Sequence, residues 1–231
     1  MPEYPYRDAI NQMMDKGFNV RDEYKDLPLE ELKQIQREET IPFAVCIVNV
    51  LGDLNVGMML RSACCFGAER FFIIGRRKFD RRSAVGAQNY MDVVRVKAID
   101  EQVASTFQVE IDSQKVIDTI TEYGYTPLVF ETKGRDMRDM KWIWPELNKK
   151  NARPCLIFGN EGYGLPQNLI DMVPLKHRIK IPQWGVLRSL NVSAAASIAM
   201  YEAAINVWIT DTYPSTSCRP ENLWSNDAPG G

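Results

Sequence analysis

Phe43-Ala44-Val45-Cys46-Ile47-Val48-Asn49-Val50 is a near-continuous apolar run of strand length. A run without polar alternation suits a strand buried on both faces, as in a parallel sheet covered by helices. The next segment has a helical rhythm. Val56 to Phe66 reads as a helix, with Asn55 placed to cap it and Gly67 placed to end it. The alternation continues downstream. Arg70 to Ile74 and Val93 to Val96 read as strands, and Ser113 to Tyr123 as a helix closed by Gly124. Tyr125 to Phe130, Cys155 to Phe158 and His177 to Ile181 read as further strands. Leu190 to Trp208 is a long helix, apolar almost all round, so deep burial is expected. Strands alternating with helices give an α/β class with a mostly parallel sheet flanked by helices.

The flanks differ from this centre. Residues 1–40 are polar and partly helical, with Pro28 opening the stretch Leu29 to Ile35, so an extension is expected there. Residues 211–231 are rich in Pro, Ser, Gly and Asn and read as a flexible tail. The main domain is expected over residues 41–210. The 231 residues carry 28 basic and 30 acidic side chains, and 45% of them are hydrophobic, which excludes wholesale disorder, a collagen and a coiled-coil rod. No apolar run reaches membrane-spanning length, and the N-terminus has neither a signal core nor transit-peptide character. A cytoplasmic location is expected, with nuclear or organellar ones open. Five cysteines without a CxxC pair read as reduced, mostly buried thiols.

Three segments carry the chemistry. The first is Asn55-Val56-Gly57-Met58-Met59-Leu60-Arg61, at the carboxyl end of the first strand, where open α/β sheets bind ligands. Asn55 and Arg61 are six apart and so not on one helical stripe, though both can border one cleft; a plain cap and a solvated arginine also fit. The second is Phe158-Gly159-Asn160-Glu161-Gly162-Tyr163-Gly164-Leu165-Pro166. Three glycines in six residues imply a tight loop where the backbone approaches something closely. It is neither a dinucleotide fingerprint nor a phosphate loop. The third is Ile181-Pro182-Gln183-Trp184-Gly185-Val186-Leu187-Arg188-Ser189-Leu190-Asn191-Val192-Ser193, where a strand ends and the long helix begins. Ser189 and Asn191 fit either a ligand site at a helix start or ordinary capping.

In this order and at these strand ends, the three segments resemble the motifs of the SpoU-type RNA ribose 2′-O-methyltransferases of the SPOUT superfamily. The resemblance covers about residues 43–208. The variant with Gln183 and Arg188 is similar to the catalytic domain of eukaryotic tRNA guanosine-18 enzymes. The resemblance implies a C-terminal deep trefoil knot and S-adenosylmethionine as cofactor, without a metal. It also implies a homodimer and an RNA substrate, tRNA first and rRNA next. It places catalytic roles on Asn55, Arg61, Glu161, Ser189 and Asn191, and cofactor contacts on Phe130, Gly159, Ile181 and Leu190. Whether Arg61 acts as the base or stabilises negative charge stays open, because a guanidinium is effectively always protonated.

RNA needs cations. Arg76-Arg77-Lys78-Phe79-Asp80-Arg81-Arg82 supplies five in seven residues, and Arg188 adds one inside the third motif. Trp184 either stacks on a base, covers the cofactor, or simply packs. His177, the sole histidine, lies outside the motifs and reads as structural. The chain is slightly acidic, and residues 1–40 are too short for a separate RNA-binding domain, so an accessory protein for substrate choice is a further expectation. Two rival readings remain: a non-catalytic RNA-binding scaffold and a base-methylating enzyme of the same fold.

Overall fold

In a computed structural model of the chain, which describes residues 19–49, 54–75, 79–99, 111–160 and 162–207, the apolar run becomes β1 (Ile41–Asn49) at the middle of a six-stranded sheet. Phe43, Val45 and Ile47 enter one hydrophobic core, and Ala44, Cys46 and Val48 enter the other. Successive side chains of a strand point to opposite faces, so a strand with a core on each face has to be apolar at both parities. The run therefore lacks alternation.

α1 (Leu29–Glu38) precedes β1, and α2 (Leu54–Cys65) and β2 (Ala68–Gly75) follow it. A single helical turn, α3 (Arg81–Ala84), leads to β3 (Asp92–Val96). α4 (Ser113–Glu122), β4 (Tyr125–Asp136), α5 (Ile143–Lys149) and β5 (Arg153–Phe158) come next. α6 (Gln167–Met172), β6 (Arg178–Lys180) and α7 (Val192–Val207) complete the described chain. The strand order is β3-β2-β1-β5-β4-β6, and every pairing is parallel. α2 and α7 pack on one face through Val56, Met59, Leu60, Ala196 and Met200. α4 and α6 cover the other through Val116, Ile120 and Leu169. Glycines end two helices as expected: Gly67 has φ +69° and Gly124 has φ +80°, both in the left-handed region. Among the described residues no helix is long and apolar enough to cross a membrane.

Four expectations need correction. α2 starts at Leu54, so Asn55 lies inside the first turn and does not cap the helix. β4 continues past Phe130 to Asp136, because Arg135 and Asp136 pair with Ile179 and Lys180 after a register shift. The polar stretch Thr132 to Asp136 carries no apolar signal for this. α7 buries one face and leaves Ile198, Tyr201 and Ile205 exposed. Cys46 and Cys155 are buried, but Cys64 is half-buried and Cys65 is exposed. Arg76, Arg77, Lys78, Glu161 and the tail from residue 208 lie outside the described residues.

Candidate active site

The first and third motifs meet where α2 packs against α7. Asn191 precedes α7 and is its cap: Oδ1 accepts from the Ser193 main-chain N–H at 2.9 Å and the Ser193 hydroxyl at 2.6 Å. Its Nδ2 donates to Asn55 Oδ1 at 3.0 Å, across 136 residues of chain. Asn55 is only 7% exposed while Asn191 is exposed, so the bond is part-buried and its Asn55 end is the shielded one. The capping expected of Asn191 is thus present, and the same side chain also pairs the third motif with the first.

The same junction continues as a polar seam. Ser193 Oγ lies 3.9 Å from Met58 Sδ, and the Ser62 and Ser197 hydroxyls are 2.9 Å apart. Ser197 also donates to the Ser193 carbonyl at 2.9 Å. Sequence reasoning missed Ser62, Ser193 and Ser197. Their signal was the helical spacing Asn55, Met58, Ser62 on one helix and Ser193, Ser197 on the other, which places each set on one stripe. Arg61 takes no part in the hydrogen bonds of that seam. It is exposed and lines a cavity of about 530 Å³ with Glu39, Cys65, Tyr201 and Ile205. Within the chain, the fold brings Asn55 to Asn191 and leaves Arg61 exposed at a cavity that Tyr201 and Ile205 of α7 also line. Burial pushes the neighbouring Cys64 thiol up to about 12, so that sulfur stays protonated.

The second motif closes on itself. Asn160 and Gly164 exchange main-chain bonds of 3.2 and 3.0 Å, and Tyr163 N–H donates to Asn160 Oδ1 at 2.6 Å. A Cβ at Gly159 would lie 2.0 Å from the Gly164 carbonyl carbon, so the loop itself is what this backbone approaches. Beside it, Phe130 in the middle of β4 and Phe158 at the carboxyl end of β5 stack with centroids 4.9 Å apart. Ile181 packs half-buried against the same core, and Leu190 is 39% exposed. From Gln183 to Leu190, no main-chain group bonds to another main-chain group among the described residues. Phe130 and Phe158 lie in the core, and the exposed Leu190 with the loop's unbonded main-chain groups is the part open to an adenine-bearing ligand. Ser189 and Arg188 are exposed in this loop.

The described part of the basic loop lies against the first motif. A Cβ on Gly57 would come within 2.8 Å of the Ala84 main-chain nitrogen, so the glycine lets α3 touch α2. Asp80 caps α3 and grips the Arg82 guanidinium through both oxygens, which holds its carboxyl below the usual range. Arg81 is exposed. His177 sits in a turn before β6; burial lowers its basicity, with Lys176 adding to the effect.

The profile of the SpoU rRNA Methylase family matches residues 42–201. A Staphylococcus haemolyticus protein named for the TrmH family of tRNA/rRNA methyltransferases is 29% identical over 187 residues, 78% of this chain. The chain spans 65% of that relative's length. Among solved structures, the A. aeolicus TrmH/SpoU tRNA modifying enzyme superposes with a TM-score of 0.55 at 20% identity, over 77% of this chain and 81% of that one. The AviRb methyltransferase of Streptomyces viridochromogenes, in complex with AdoMet, gives 0.51 at 19% identity, over 71% and 60%. At these identities the structures establish the fold.

Proposed function

Because the chain belongs to the SpoU rRNA Methylase family, we propose that it transfers a methyl group from S-adenosylmethionine to a ribose 2′-hydroxyl of RNA, with tRNA of the guanosine-18 type as first substrate and rRNA as second. The observation that carries this reading is the Asn55–Asn191 hydrogen bond, which locks the first motif to the third. Residues 41–210 form the methyltransferase unit in this proposal.

S-adenosylmethionine, when bound, supplies a methyl carbon already activated by its sulfonium. Phe130, Gly159, Ile181 and Leu190 are the residues that would hold its adenine end. The remaining work is to position the ribose hydroxyl and manage its charge. A guanidinium is effectively always protonated, so the role of Arg61 in this proposal is to stabilise negative charge on the ribose oxygen. Ser189 and Asn191 orient the ribose in this proposal, and Glu161 is kept in the catalytic set.

Arg61 lines a cavity with Tyr201 and Ile205 that does not include the Asn55–Asn191 pair, which favours a homodimer in which it serves the partner's site. The exposed Ile198, Tyr201 and Ile205 on α7, with Leu54 and Met58 on α2, supply an apolar face for that contact. The trefoil knot is part of the same proposal. It is supported by β4 pairing with β6 on both sides of a register shift, and by Gly134, where a Cβ would lie 2.5 Å from the Ile179 carbonyl carbon. Arg76, Arg77, Lys78, Arg81, Arg82 and Arg188 hold RNA phosphates, with an accessory protein aiding substrate choice.

The test is incubation with methyl-labelled S-adenosylmethionine and total cellular RNA, followed by digestion to nucleosides and mass spectrometry. Label in a 2′-O-methylnucleoside is the expected result; label only on a base overturns the ribose assignment. Arg61→Ala should bind the cofactor normally and transfer no methyl group. Intact transfer by that variant removes Arg61 from the mechanism.

A further inference from the structure

The loop after β6 presents more apolar surface than a solvent loop needs. Trp184 is 81% exposed, Leu187 is 80% exposed, and Val186 is fully open. Isolated exposed apolar residues are ordinary, but a tryptophan and two aliphatics within four residues are not. The indole is also held. Arg138 places its guanidinium over the ring, 5.7 Å from the centroid. That guanidinium is fixed in turn by Asp136, which accepts from Nε at 3.0 Å and from Nη2 at 2.7 Å. Asp136 also accepts from the Arg138 main-chain N–H at 2.9 Å, so one carboxylate anchors both ends of the arginine. Arg138 and the nearby Lys180 hold its carboxyl down at about 2, so the clamp stays charged at neutral pH.

Resting on the reading of the protein as an RNA methyltransferase, we propose that Trp184 is a stacking platform for an unpaired base of the RNA substrate, with Arg138 backing the indole. Single-stranded RNA is recognised by splayed bases laid on aromatic rings or guanidinium planes, and Trp184 and Arg138 offer both in one unit. The surrounding charge selects the occupant. Arg138 lies on the ring with its charge shared by Asp136 and the neighbouring Asp139, while Lys180 stands near the clamp and Arg188 follows in the same loop. Cations around a π face suit a nucleotide, which brings a base and a phosphate together. An apolar surface of a second copy would have to desolvate Lys180 and Arg188 without pairing them. The platform lies seven residues before Asn191, in the same loop as Ser189. A base stacked there belongs to the target nucleotide or its neighbour, so Trp184 is a specificity residue that touches no reacting atom.

The test compares wild type, Trp184→Ala and Trp184→Phe. Affinity is measured for a fluorescein-labelled pool of unmodified tRNA transcripts, cofactor binding by calorimetry, and oligomeric state by sedimentation. Trp184→Ala should weaken RNA binding about tenfold to a hundredfold, the range of losses for one base–aromatic stack. Trp184→Phe should recover most of it. Added RNA should quench tryptophan fluorescence in wild type, and Trp184→Phe should lose that component. Cofactor affinity should match wild type in both variants. If Trp184→Ala loses cofactor affinity but keeps RNA affinity, the ring covers the cofactor and the proposal is wrong. A change confined to the oligomeric state overturns it as well, in favour of a contact between copies. Unaltered RNA affinity in Trp184→Ala, with methyl transfer present in wild type, rejects the platform and spares the enzymatic reading. Absence of transfer and of RNA binding in wild type removes both.

Discussion

Replacing Asn191 dissects the junction of the first and third motifs. In Asn191→Ala, α7 loses its cap, worth about 1 kcal/mol. The bond to Asn55 goes too, worth about another 1 kcal/mol, because Asn55 is 7% exposed and water replaces the amide poorly. The sum of about 2 kcal/mol should lower the melting temperature by about 4–8 °C in a chain of this size. Asn191→Asp separates the two contributions. Its carboxylate still accepts from Ser193 and suits a helix N-terminus, but it faces the Asn55 oxygen with no donor. We expect it to keep the cap and lose about 1 kcal/mol, with transfer activity falling as far as in Asn191→Ala. The assay is urea unfolding at pH 7 on the two single alanine variants, the double variant and Asn191→Asp. A coupling energy of about 1 kcal/mol between Asn55→Ala and Asn191→Ala is the expected signature. Strictly additive losses, or an Asn191→Asp variant as stable as wild type, would refute the pairing.

Gly159→Ala should destabilise by about 1–3 kcal/mol and weaken S-adenosylmethionine binding, since the added Cβ meets the Gly164 and Leu165 backbone rather than a movable side chain; a stable variant with normal cofactor affinity contradicts that. His177 has its pKa lowered from 6.5 by burial, so the unfolded chain takes up its proton first as pH falls. Its contribution is present above pH 6.5 and is lost below it, so thermal stability should fall from pH 7 to 5.5 less steeply in His177→Gln than in wild type. Parallel slopes would disprove it. Replacing Arg81 and Arg188 by Gln should flatten the logarithmic salt dependence of RNA binding, by about 0.7–0.9 in slope for each phosphate no longer neutralised. Arg82→Gln should do less, because Asp80 already neutralises that guanidinium. Equal effects of the three arginines would overturn this ranking.

What could be read from the sequence was what each segment does alone. The β1 run shows burial on both faces because residues of both parities are apolar, and neighbouring strands leave no other option. Gly67 and Gly124 mark helix ends because a left-handed residue is a local requirement. The order of the three motifs identified the family for the same reason, since each is a contiguous string. Partnership over long separations is a different kind of fact. Nothing near Asn55 says that its partner is 136 residues away, or that it sits inside α2 rather than capping it. Nothing in Thr132 to Asp136 announces a strand, because its pairing with β6 comes from where the chain passes and not from an apolar pattern. That Arg61 lines a cavity with Tyr201 and Ile205, and not with the Asn55–Asn191 pair, is decided by packing alone. Local periodicity records the burial of one element. Which elements meet is set by the joint packing of two cores around one sheet, so the tertiary structure had to supply the site's geometry.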